Sequence, residues 1–412
     1  MVRRQTVTEW AGRAVACSLF GAAIGGAGCV RPHSQAPLAY ADDLEQGVAE
    51  VGSLLYVRQL ASIERTPLHS DEWGAVTLDP GGNRLFSAVG RQGELVAIDR
   101  DTARIQWVKD LSGAVSMAPL LVDPRTLLVG TDDGTLWSLR TDSGDVAWRY
   151  ETVGTVRNEP LVHDDVVYFV NSRDQVFALD ARTGGWRWQY ERDLPPGFTI
   201  RGRAGLTFIA ASQLGPHQLS DDIGVLFTGF ADGRVAALSA SSGQALWLAD
   251  LAPAGETEFV DVDTTPVLDL VRGEVLASGQ AGGVFGLALS DGEVRWTLPV
   301  AGAGAITRLD VDAFLVSSSL DGLVAFEPGG RVRWRRQLDV GVVGRPVVVA
   351  ERIYVPHSES GVLVYGAARG NLLGLIDVRS GVSGGIVVDD RAQQLFVTTN
   401  RGALLAFQLP RE

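Results

Sequence analysis

The stretch Thr131 to Trp148, TDDGTLWSLRTDSGDVAW, constrains the fold more than any other, because its grammar returns through nearly the whole chain. An apolar run, a turn closed by Gly134, an alternating run (Leu136, Trp137, Leu139), a second turn closed by Gly144, then Val146 and Trp148 make two hairpin connections. Period-two alternation between glycine turns predicts antiparallel strands. Glycine belongs where a short hairpin loop needs positive φ, which it adopts without steric cost. Asp133 and Asp142 add the side-chain bonds that favour turns.

The second half of the unit recurs at Trp107, Trp148, Trp188, Trp247, Trp296 and Trp334, spaced 41, 40, 59, 49 and 38 residues apart. The first half recurs at Gly93, Gly134, Gly233, Gly283, Gly361 and Gly402, with Asp174 once in the glycine's place and a shortened turn near Gly322. Together they define eight units. A repeat of about 40 residues holding four short strands is the signature of a β-propeller blade, which buries its faces only against its neighbours. The expected fold is therefore all-β, an eight-bladed propeller of four-stranded antiparallel blades. Stacked repeats share one core, so residues 53–412 are read as a single domain despite their length.

That core needs a closed ring. The C-terminal unit stops after Phe407, short of an outer strand, and Leu54 to Leu60 is an unclaimed strand candidate near the other end. Residues 53 to 60 are assigned as the outermost strand of the last blade, paired with Ala403 to Phe407, which removes an open sheet edge. Leu54, Tyr56 and Leu60 are expected to supply its apolar contacts. Pro119, Pro160, Pro266 and Pro346 open inner strands, a position where proline is tolerated because the strand faces the channel as an edge.

Charge and cysteine usage narrow the function. The formal net charge is −13; residues 1–28 carry +2 (Arg3, Arg4 and Arg13 against Glu9), so the remainder carries −13 − 2 = −15. Such a body argues against nucleic acid and against direct binding to anionic membrane surfaces. The two cysteines, Cys17 and Cys29, precede the body, which leaves it without a disulfide, a thiolate catalyst or a Cys metal cluster. The five histidines are scattered and read as surface or turn residues; no catalytic, cofactor or metal site is expected.

Residues 1–28 read as an export signal, with Arg3 and Arg4 before an apolar run from Ala14 to Ala27 that is too short to span a membrane. Gly26-Ala27-Gly28-Cys29 resembles the lipobox of bacterial lipoproteins, with Gly26 where Leu is usual, and this resemblance implies an acylated Cys29; a plainly cleaved signal and a retained segment are the alternatives. Residues 29–52 form the lipidated N-terminus and a polar tether, about 25 Å long on average as a coil of this size. Extra residues at 193–203, 213–222 and 251–262 lengthen three connections. Long loops on a repeat scaffold are the default binding surface. In a four-stranded meander the first and third of them leave on one face, side by side on blades 4 and 5.

The grammar G-x-φ-φ-A-φ followed by G-x-φ-x-W, φ here marking an apolar residue, resembles the pyrroloquinoline quinone (PQQ)-type propeller repeat, which implies fold and not function. More specific are Asp261-Val262-Asp263-Thr264-Thr265-Pro266-Val267 and Gly197-Phe198-Thr199-Ile200-Arg201-Gly202. Both resemble motifs of the BamB family, propeller lipoproteins of the outer-membrane β-barrel assembly (Bam) machinery. The likeness runs from about Leu54 to Phe407, with Gly374 standing in a tryptophan position and the 213–222 insertion as departures. It implies a non-enzymatic scaffold, lipid-anchored at Cys29 in the outer membrane with its propeller in the periplasm, monomeric within the complex. It also implies docking to BamA's POTRA domains through Phe198, Ile200, Arg201, Asp261 and Asp263. The residues alone also allow Phe198 and Ile200 to fill gaps between blades while the two aspartates cap turns. Two other functions stay open: a different periplasmic or surface binding propeller, and a quinoprotein dehydrogenase. The latter would need a vicinal cysteine pair that this sequence lacks.

Overall fold

In the computed structural model the described residues are 51–60, 75–81, 83–89, 93–192, 204–215, 219, 221–252, 261–262, 264–280, 282–338 and 341–410. They form 32 strands in eight four-stranded antiparallel sheets, each taken in sequence order from the inner strand A to the outer strand D. Blades 1 to 7 are continuous in sequence. Blade 8 joins β30 (Ile386–Asp389), β31 (Gln394–Thr398) and β32 (Ala403–Gln408) to β1 (Ser53–Gln59). The register runs from Ser53 opposite Gln408 to Gln59 opposite Ala403, so the ring closes as the sequence predicts.

Along each chain the A–B and C–D turns fall on one face of the propeller, here the lower, and the B–C turns and blade-to-blade connections on the upper. The 213–222 insertion is an A–B connection, hence lower, and opens with a single helical turn, α1 (Ala211–Leu214). Strands B and C are almost wholly buried, as in Val166–Val170, whereas D strands alternate, as in β9 (Val146–Glu151). That difference follows from position, since middle strands are covered by a neighbouring blade on each face and the outermost borders solvent.

The tryptophans make the joints. Trp107, Trp148, Trp188, Trp247 and Trp334 each donate their indole N–H to a carbonyl in the next blade's C–D turn, at 3.0–3.1 Å. Each ring covers a glycine of that turn. A Cβ on Gly184, at φ +70°, would lie 2.7 Å from the Trp148 ring. Trp296 differs because blade 6 has the short turn Pro328–Gly330; it donates to Glu274 Oε2 of its own blade at 3.0 Å.

Gly374 now has a cause. It stands opposite Val364 in the register that places Trp334 opposite Ala325. The next blade is blade 8, whose strands C and D are the two ends of the chain, so no C–D turn exists for a tryptophan to cover. Val51 occupies this joint instead: its N–H donates to the Leu375 carbonyl at 2.9 Å and its side chain packs on the blade 7/8 cluster. At the closing joint Tyr56 takes the tryptophan position, opposite Ala406, and Ala103 takes the glycine position at φ +55°.

One expectation needs correction. Leu54 is 52% exposed, because the bulge between Leu54 and Tyr56 puts their side chains out of step; Tyr56 and Leu60 provide the packing. His357 is buried and is a turn residue, its Nδ1 accepting the N–H groups of Glu359 and Ser360 to hold a B–C turn. The inner prolines also do more than tolerate an edge. The carbonyls of Pro119, Pro266 and Pro346 accept hydrogen bonds from Thr77, Thr207 and Thr307 of the preceding blades.

Candidate functional site

The two long upper-face connections, 193–203 and 251–262, are expected side by side, and three of their four described ends share one anchor. That anchor is the B–C turn of blade 4, Phe230-Ala231-Asp232-Gly233, closed by a Gly233 N–H bond to the Phe230 carbonyl at 3.1 Å. Arg192, the last described residue before the first connection, donates Nη1 to Asp232 Oδ1 at 3.1 Å and Nη2 to Oδ2, with its guanidinium 4.9 Å from the Phe230 ring centre. At the other end, Ala204 is held by Asn158 Nδ2 at 2.9 Å. The second connection leaves at Leu251, whose N–H donates to Gly233 at 2.9 Å, and returns at Val262, whose N–H donates to Phe230 at 3.1 Å. The fit is close: a Cβ on Gly229 would lie 2.4 Å from Val262.

A buried carboxylate braces this turn from blade 3. Asp174, 5% exposed, accepts the Ala231 N–H at 3.0 Å through Oδ2. Seven blades have glycine at the equivalent position, all at positive φ, and Asp174 holds that conformation at φ +58°. Burial lifts its pKa to about 6; the nearby Asp232 adds to the rise, while the Ala231 N–H and Arg192 oppose it. The side chain thus stores electrostatic tension at the root of the first connection.

Of the residues assigned from sequence, Asp261 alone is described, and it is 3% exposed. Its side chain is buried. Phe198, Ile200, Arg201 and Asp263, like Cys29, lie outside the described residues. Sequence reasoning missed Asp174, Arg192, Phe230 and Asp232. The one available signal was Asp174 standing in a glycine's place.

The inner strands of the blades, with the residues that lead into them, surround a cavity of about 900 Å³. Arg157, Glu159 and Arg345 are among the residues that line it. Arg157 is paired with Asp132 at 2.8 Å, and burial raises the pKa of Glu159 against the pull of Arg345. Among the described residues no three His, Cys, Asp or Glu side chains gather as a metal site.

A family model for the outer membrane protein assembly factor BamB matches residues 62–191, 121–322 and 287–408. BamB of Shewanella oneidensis is 30% identical over 240 residues, 52% of this chain and 57% of that protein. The chain spans about half the length of the curated relatives it matches. A quinoprotein alcohol dehydrogenase, PedH of Pseudomonas putida, is 31% identical over 128 residues, 31% of this chain and 19% of that protein. Among solved structures, BamB from Moraxella catarrhalis superposes with a TM-score of 0.69 at 20% identity, over 87% of this chain and all of that one, a likeness of fold.

Proposed function

The chain belongs to the family of the outer membrane protein assembly factor BamB, and on that premise we propose that it is a non-enzymatic scaffold subunit of the machinery that inserts β-barrel proteins into the outer membrane. In this reading an acylated Cys29 holds the propeller on the periplasmic side of the membrane. The upper face docks on BamA's POTRA domains through Phe198, Ile200, Arg201 and Asp263, with Asp261 buried behind them in the same motif. The observation that carries the reading is the rooting of both motif-bearing connections on one turn of blade 4. Apolar side chains beside an arginine and a carboxylate have the composition of a protein-binding patch, with an apolar centre and a polar rim.

Co-purification from membranes tests it. Arg201→Glu and Asp263→Arg should each abolish recovery of the POTRA-bearing partner, since losing a central arginine anchor commonly costs about 2 kcal/mol or more, roughly thirtyfold in affinity. Normal recovery with both variants refutes the assignment. The partial likeness to PedH is the observation favouring a second reading, a dehydrogenase. Saturable binding of PQQ in calorimetric titration with calcium would support that reading instead.

A further inference from the structure

The outer rim carries a concentration of charge that the fold does not require. β25 (Arg331–Arg336), the outer strand of blade 6, reads RVRWRR. Among the described residues only β24 (Gly322–Glu327) pairs with it, so its second edge has no partner strand there. All four arginines are exposed. Two acids answer them. Glu327 pairs with Arg331 and, at 3.0 Å, with Arg333; Asp310 pairs with Arg333 at 2.6 Å. Arg336 is held by the carbonyls of Arg369 and Gly370 of blade 7 and by that of Arg335, whose own side chain has no hydrogen bond or ion pair among the described residues. Four cations against two anions leave an excess of two positive charges on one strand of a chain whose net charge is −13.

Charges on an edge strand also keep copies of a protein from pairing edge to edge. Their distribution argues against that purpose here. The outer strands Ala245–Asp250 and Leu372–Ile376 expose Leu246, Leu248 and Leu373 and carry no arginine. The cations are placed where the edge is least apolar.

We propose that β25 binds an extended acidic segment of a partner protein. The segment lies along the open edge, its main chain pairing with β25 and its carboxylates meeting the guanidinium groups along the strand. The bulge between Val332 and Trp334 divides the edge into two short runs. Side-chain charge therefore supplies most of the affinity, and binding weakens with salt. A single chain can thread past Glu327 and Asp310, whereas an anionic bilayer would press its phosphates against these acids. This site is separate from the upper-face connections, so its failure leaves the docking reading intact.

Fluorescence anisotropy of a labelled twelve-residue peptide of alternating Glu and Val, titrated with the full chain, tests the proposal. Saturable binding is expected at 50 mM salt, at least tenfold weaker at 300 mM and at least tenfold weaker for Arg331→Glu/Arg335→Glu. Arg149→Glu on β9 should change nothing. Arg335→Ala, which removes no side-chain hydrogen bond or ion pair among the described residues, repeats the test should the double variant fail to fold. Four results overturn the idea: absence of saturation, equal binding by the arginine variants, equal binding of a Lys/Val peptide, or arginine-dependent binding of phosphatidylglycerol vesicles without binding of the peptide.

Discussion

Replacing Asp174 with Asn should make the protein more stable at neutral pH and erase part of its pH dependence. The carboxyl has an ordinary pKa of 3.8 and a folded value of about 6. Between those values the folded state holds a proton that the unfolded chain has released. Stability therefore falls as pH rises through this window and stays lower above it. A rise of about two units, at 1.36 kcal/mol each, corresponds to a loss of about 3 kcal/mol as an upper figure. Asn keeps an acceptor for the Ala231 N–H, stays neutral, and tolerates φ +58° better than most residues. It gives up the attraction of Arg192, so the net gain at pH 7.5 is expected at roughly 1–3 kcal/mol, with little difference at pH 4. Guanidinium denaturation of both proteins at pH 4 and 7.5, followed by tryptophan fluorescence, measures the difference. Parallel pH profiles, or a variant less stable at pH 7.5, would refute the assignment of Asp174 as a strained brace.

The ring closure makes two further predictions. A chain beginning at Ser62 loses β1 and the packing of Tyr56 and Leu60, and should be destabilised by several kcal/mol, given about 1.5 to 3 for each large apolar side chain buried; a melting temperature equal to that of the full body would show that β1 does not close the ring. Tyr56→Phe should be neutral or stabilising by about 1 kcal/mol, because the Tyr56 hydroxyl is buried without a hydrogen-bond partner among the described residues and burial pushes its pKa up to about 12. A clear loss of stability in thermal melts would mean that this hydroxyl has a partner in solution.

The sequence by itself determined the number of blades, the class of sheet and the pairing of the chain's two ends. Each of these rests on local chemistry, namely alternation, turn glycines and a recurring tryptophan whose spacing survives insertions. It also located the two connections that interrupt the period. The tertiary structure decided what holds them, because Asp174 meets Ala231 57 residues away and Arg192 meets Asp232 40 residues away. No short-range pattern encodes such pairs, which exist only once one blade is stacked on the next. The same holds for Gly374, which looks like a lost tryptophan in sequence and becomes intelligible only where the facing turn is replaced by the two chain ends. Asp261 gives the converse case: its motif was legible, but its burial was not.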